Sequence, residues 1–125
     1  MANPYQKYKT TAIMSASREQ ILLMLYEGAI RFTKQAIISA EQNNIAERGK
    51  NILRAYDIVM ELHASLDHKV GGELPKQLES LYLYMMDRYT KANMTGDIES
   101  LKSCQTVLEN LHQGWKQIIE QQGAA

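Results

Sequence analysis

The side chains that could do chemistry are few in this 125-residue chain, and their spacing limits what each can do. Glu109 and His112 form a Glu-x-x-His pair, one helical turn apart. A di-iron bundle needs two such pairs plus glutamates from two further helices, whereas His63 and His68 have Met60 and Ser65 three residues before them. The ligand count fails, so no metal is expected, and Glu109 and His112 read as solvated neighbours on one helix face. Cys104 is the only cysteine, which excludes an internal disulfide and a cysteine-based zinc site and fits a reducing compartment. It falls in an apolar stripe, where a free thiol is an inert small hydrophobe. Gly71 and Gly72 are followed by Glu73, and no Gly-Lys-Ser/Thr triplet occurs, so there is no phosphate loop. Lys34, Arg48, Lys50, Arg54, Lys69 and Arg88 are interspersed with acids, and 14 basic residues balance 14 acidic ones. No net cationic field is available to hold nucleic acid. Without a nucleophile, a ligand cluster or a phosphate cradle, neither an enzyme nor a cofactor is expected.

Stepping along the chain, helix punctuation gives four long segments and a leader. Residues 1–16 carry Pro4, Tyr5, Tyr8, Ile13 and Met14 without a sustained period and read as a leader or cap. Ser17 with Gln20 is a capping-box pattern that starts a first helix, in which Ile21, Leu25, Ala29, Phe32 and Ala36 form one apolar stripe. Leu22, Tyr26, Ile30 and Ile37 form a second stripe, so this helix needs two neighbours. Glu41 to Asn44 is polar and makes a turn, after which Ile45, Ile52, Tyr56, Val59, Leu62 and Leu66 predict a second helix broken at Val70-Gly71-Gly72. Pro75 suits the first turn of a third helix, carried by Leu78, Leu81, Tyr82, Met85, Tyr89 and Ala92 to Asn93. Beyond a turn at Thr95-Gly96-Asp97, Leu101, Cys104, Leu108, Leu111, Trp115 and Ile118 predict a fourth, with Leu101, Leu108, Leu111 and Ile118 as structural core. Short connections make successive helices antiparallel. The expected fold is therefore all-α, an antiparallel up-down four-helix bundle over 17–125 preceded by the 1–16 leader, with no sheet.

The longest apolar run, Ile21 to Leu25, is too short to cross a membrane, and the N-terminus lacks the apolar stretch of a signal peptide. The expectation is a chain that stays in the cytoplasm. Its aromatic usage is unusual, with seven Tyr and seven Met against one Phe and one Trp. Tyrosine and methionine suit a surface that is sometimes covered and sometimes wet. Tyr82, Tyr84, Met85, Met86 and Tyr89 crowd one helix and cannot share one interior. Composition leaves two readings open, a peptide-binding groove and a loosely packed core with partly exposed tyrosines.

Several ordered blocks resemble a known family. These are Tyr5 and Tyr8 in the leader; Ala16-Ser17 followed by Gln20-Ile21-Leu22-Leu23-Met24-Leu25-Tyr26-Glu27-Gly28-Ala29; Leu66-Asp67-His68 leading to Gly71-Gly72-Glu73; then Leu78, Leu81-Tyr82, Tyr84-Met85, and Ala92-Asn93. They resemble the flagellin-specific export chaperones of the FliS family over nearly the whole chain, as far as Trp115. Arg18 stands where proline is common, Pro75 where alanine is common and Tyr89 where leucine is common.

The resemblance implies a cytoplasmic bundle that binds the disordered C-terminal segment of flagellin, prevents premature polymerisation and helps deliver it to the flagellar type III export gate. It also implies that the leader, here Tyr5, Tyr8 and Ile13, lies over part of the client surface as a displaceable lid. The expected groove is Ile21 and Leu25 on the first helix, Tyr56, Met60 and Leu66 on the second, and Leu78, Tyr82, Met85 and Tyr89 on the third. The partners so implied are flagellin and a component of the export gate, with no nucleic acid, membrane insertion, metal or cofactor. An alternative function is a helical adaptor for another amphipathic segment, such as a secretion regulator.

Overall fold

The structure is a computed structural model and describes residues 17–123. Among the described residues there are four α-helices, α1 (Arg18–Glu41), α2 (Ile45–Ala64), α3 (Leu74–Thr95) and α4 (Ile98–Gly123), and no strand. A single 3-10 turn, His68–Val70, lies between α2 and α3. The expectations for the tyrosine and isoleucine of the leader, at 5, 8 and 13, fall outside the described residues.

Local chemistry explains the helix limits. Ser17 accepts from the Gln20 N–H while the Gln20 side chain accepts from the Ser17 N–H, which completes the capping box that starts α1. Asn44 accepts from the Glu47 N–H to start α2. That helix stops at Ala64, well before the paired glycines expected to end it, because Ser65 serves as its C-cap and the chain then makes the 3-10 turn. Leu66 consequently lies in a connection and not on a helix. Pro75 occupies the first turn of α3, and Gly96 ends that helix with φ 76°, a left-handed conformation that favours glycine.

In the bundle, α1 and α3 each pack against α2 and α4. Cross-helix pairs fix the directions: Gly28 meets Ile58 and the Arg54 guanidinium lies over Phe32, so α1 and α2 are antiparallel. Tyr84–Ser103 and Lys91–Asp97 show the same for α3 and α4. The diagonal helices α1 and α3 touch through polar side chains across the core, in pairs whose residue numbers rise together, so they run parallel. Tyr26 Oη hydrogen-bonds Tyr82 Oη, and one heptad further along each helix Thr33 Oγ1 hydrogen-bonds Tyr89 Oη at 2.6 Å. Equal seven-residue steps on two parallel helices place both pairs in register. Trp115 Nε1 on α4 donates to Tyr26 Oη at 3.2 Å, and Thr33 Oγ1 donates to the Ala29 carbonyl at 2.7 Å. Among the described residues each buried tyrosine hydroxyl thus has a partner, which offsets the cost of burying it.

This arrangement takes Met85 and Tyr89 out of the groove expected of them, while Tyr84 on the same helix stays 43% exposed. Met85 and Tyr89 are fully sealed in the core with Tyr26, and Tyr82 is nearly so. The physical reason is the hydroxyl pairing across the diagonal, which lets tyrosine do the work of phenylalanine while fixing register. Burial raises the pKa of Tyr26, Tyr82 and Tyr89, and pushes the Cys104 thiol up to about 12. Cys104 is buried in the α4 seam, where its sulfur faces the Met85 carbonyl at 3.6 Å.

A second correction concerns α4. Its buried positions are Ser100, Leu101, Cys104 and Leu108. Leu111 and Trp115 are half-buried, and Ile118 is 46% exposed, so the last turns of α4 outrun the core they were expected to complete.

Candidate functional site

The five consecutive apolar residues Ile21 to Leu25 occupy more than half of the helix circumference, and none is buried. A helix face that wide contacts neighbours on two sides, and here each side opens into a groove. The first groove runs between α1 and α2. It is lined by Ile21, Met24, Leu25, Gly28, Phe32 and Ile58, with Glu27 and Arg31 at its edge, and has a volume of about 290 Å³. Gly28 makes this groove by its size, since a Cβ there would lie 3.2 Å from Ile58 Cδ1.

The second groove opens at the end of the bundle where α2 stops and α3 begins. Leu22, Leu62, Leu66, Val70, Leu74, Pro75, Leu78, Tyr82 and Trp115 line about 310 Å³ of it. Leu22 and Trp115 also line an adjoining depression with Arg18, Ile118 and Ile119. The apolar surface is therefore continuous from the start of α3 to the end of α4. Val70 is 75% exposed and Leu74 53%, which no sealed bundle end would leave uncovered. The 3-10 turn that forms one wall is tied down by Asp67, whose carboxylate accepts from the Lys69 N–H, and by His68 and His63, both 3.4 Å from Glu79 Oε2.

The nine residues expected in a groove separate into three groups. Ile21 and Leu25 line the α1–α2 groove, while Leu66, Leu78 and the nearly buried Tyr82 line the end groove. Tyr56 packs half-buried against the core and Met60 is 48% exposed on α2; neither lines either groove. Met85 and Tyr89 face the interior, as described above. Sequence reading missed Leu22, Met24, Phe32, Ile58, Val70, Leu74, Pro75 and Trp115 as groove residues, while Leu62 reaches the end groove but is itself buried in the core. The uninterrupted run Ile21 to Leu25 carried the signal for Leu22 and Met24, because it is too wide for a single stripe.

Chemistry of other kinds has little to work with. Among the described residues no group of three or more His, Cys, Asp and Glu side chains is placed to hold a metal ion, and no helix is long and apolar enough to cross a membrane. The Glu-x-x-His residues instead pair outward to α1, His112 with Glu27 at 3.3 Å and Glu109 with Lys34 at 3.6 Å. The two grooves are lined mainly by apolar side chains, which suits them to the apolar face of a segment of chain.

Comparison with known proteins agrees with this shape. The family model described as flagellar protein FliS matches residues 1–122. The flagellar secretion chaperone FliS of Salmonella typhimurium is 35% identical over 109 residues, covering 86% of this chain and 81% of that protein. The protein of the same description from Bacillus subtilis is 28% identical over 118 residues, covering 94% of this chain and 87% of its own. A solved structure described as a flagellar chaperone from bacteria shares the fold with a TM-score of 0.78 at 18% identity, covering 94% of this chain and 95% of that one. A bundle with its diagonal locked and one end left open, matched to the family model over nearly its whole length, belongs to the FliS family of flagellar secretion chaperones.

Proposed function

We propose that this chain holds the C-terminal segment of flagellin in the cytoplasm, keeps it from polymerising and presents it to the flagellar type III export apparatus. The observation that carries the reading is the uncovered apolar end, where Leu22, Leu66, Leu74 and Trp115 surround a groove that the bundle's own side chains leave unfilled. An amphipathic tail has an apolar face that needs such a partner. Ordering that tail costs several kcal/mol, about 2–5, so a wide footprint has to offset it. Two grooves flanking the first half of α1 supply such a footprint.

Tyr5, Tyr8 and Ile13 are the proposed lid. The segment that bears them joins α1 at Ser17, next to Arg18 and Leu22 on the groove rim. A lid that competes for the groove lowers apparent affinity by the fraction of molecules it covers, and so tunes release without a nucleotide.

Calorimetric titration with a peptide of the flagellin C-terminal segment tests the reading. Saturable binding with a large negative heat-capacity change is expected. No interaction at tens of micromolar peptide refutes it. Deleting residues 1–16 is expected to tighten binding, and an unchanged affinity removes the lid from the proposal.

A further inference from the structure

Phe32, the chain's one phenylalanine, lines the α1–α2 groove at the end far from Ile21. Two guanidinium groups flank its ring. Arg31 on α1 lies 5.2 Å and Arg54 on α2 5.5 Å from the ring centroid, both within cation–π range. Both arginines are exposed, and among the described residues neither makes a salt bridge or a side-chain hydrogen bond. The basic groups nearby are otherwise engaged: Lys34 pairs with Glu109, and Arg48 donates to the Asn93 carbonyl. Among the described residues these two cations on adjacent helices share one ring and have no carboxylate within ion-pair distance, although like charges repel and Glu27 lines the same groove. Contact with the Phe32 ring offsets part of that repulsion.

We infer that Arg31 and Arg54 form a carboxylate-binding site at the Phe32 end of the α1–α2 groove, which takes an Asp or Glu side chain carried by an amphipathic helix of the client. The inference rests on the proposed chaperone function and adds a chemical requirement to it. Planar guanidinium groups bind carboxylate through paired N–H donors, and a neighbouring aromatic face lowers the solvation that would weaken the contact. Eleven residues separate Ile21 from Phe32, about 16 Å along α1 at 1.5 Å per residue. The occupant is thus a helix of about three turns with apolar residues toward Ile21 and Leu25 and an acidic residue at the Phe32 end. Charge fixes its direction in a groove that apolar contacts alone would let it enter either way.

The test titrates the full chain with a synthetic flagellin C-terminal peptide and with copies in which each Asp or Glu is changed in turn to Asn or Gln. The double variant Arg31→Gln/Arg54→Gln is expected to bind the unaltered peptide about fivefold to tenfold more weakly and with a flatter salt dependence. For one amide-substituted peptide, the double variant and the parent chain should bind equally, which identifies the carboxylate by a double-mutant cycle. Arg31→Lys/Arg54→Lys retains the charge without the fork, and should keep the salt dependence while losing part of the affinity. Both substituted positions are exposed, and circular dichroism checks that each variant remains helical. Equal affinity of all variants for every peptide overturns the two-arginine site and leaves the chaperone reading standing. No saturable binding by the parent chain overturns both.

Discussion

At the end of the bundle where α1 turns into α2, the chain is held from several directions. Asn44 caps α2, Arg48 donates to the Asn93 carbonyl in the last turn of α3, Gly96 closes that helix, and Ser100 donates to Asp97. Inside that end, Thr33, Ala36, Ile52, Tyr89, Ala92, Leu101 and Cys104 are completely or almost completely buried. At the opposite end, among the described residues none of α1 before Tyr26 and none of α4 from Glu109 to Gln122 is buried, and Glu73, the N-cap of α3, makes no side-chain cap hydrogen bond. The same four helices thus build a cooperative core at one end and an unfinished one at the other. The difference teaches that the sealed core and the open apolar surface are separable here: burial at the closed end secures the helices whose extensions carry the grooves.

The strongest way to break this comparison is to place the same charge at each end. Leu101→Asp should abolish folding, since an unpaired carboxylate in a sealed site costs several kcal/mol, about 3–5 or more. Ile118→Asp should leave the helical circular dichroism and the melting midpoint nearly unchanged while weakening the flagellin peptide. If Ile118→Asp unfolds the chain, the last turns of α4 belong to the core after all. Leu111→Asp, expected from its spacing to unfold the protein, should now fall between the two.

Alkaline titration sharpens the same contrast. The buried tyrosines have pKa values raised by desolvation, as has Cys104, pushed up to about 12. For such groups the folded state keeps its proton after the unfolded state has lost it. Their contribution is fully present below the unfolded pKa, about 10 for tyrosine and about 8.5 for cysteine, and is lost as pH rises toward the folded value. Urea unfolding should therefore show stability beginning to fall above about pH 8.5, through Cys104, and more steeply above about pH 10, where Tyr89→Phe should reduce the slope by about one proton. An unchanged slope in Tyr89→Phe would mean that its ring is not sealed.

Gly96→Ala is a milder perturbation of the closed end. A left-handed conformation costs a residue with a Cβ about 1–2 kcal/mol, and here the added carbon would also lie 2.6 Å from Arg48 Nη1. The melting midpoint should drop without loss of peptide affinity per folded molecule. The smallest effect is chemical: Cys104 should resist a thiol reagent in the native protein and react on unfolding, with no change in binding beforehand.

Much of this was legible in the residues because it is local. Ser17 with Gln20, Asn44, Pro75 and Gly96 mark helix ends through contacts within one turn, and the apolar spacing of Leu101, Cys104 and Leu108 names a core face whatever the neighbours are. Gly71 and Gly72 misled, since a helix stops when its last carbonyls find partners, and Ser65 had already supplied that stop. The candidate site was legible only in part. Ile21, Leu25, Leu66, Leu78 and Tyr82 line grooves, but Met85 and Tyr89 share the periodicity of Leu78 and Tyr82 and are sealed.

The sequence by itself settled the number of helices, their approximate limits and the family, because capping, turn chemistry and ordered blocks of residues are readable along one dimension. The tertiary structure alone decided which apolar residues are filled space and which are open surface. A helix presents the same stripe along its whole length, and only the reach of its three neighbours determines where that stripe stops being covered. Here Thr33 and Tyr26 on α1 find hydroxyl partners across the diagonal, while Leu22, one turn before Tyr26, meets a groove.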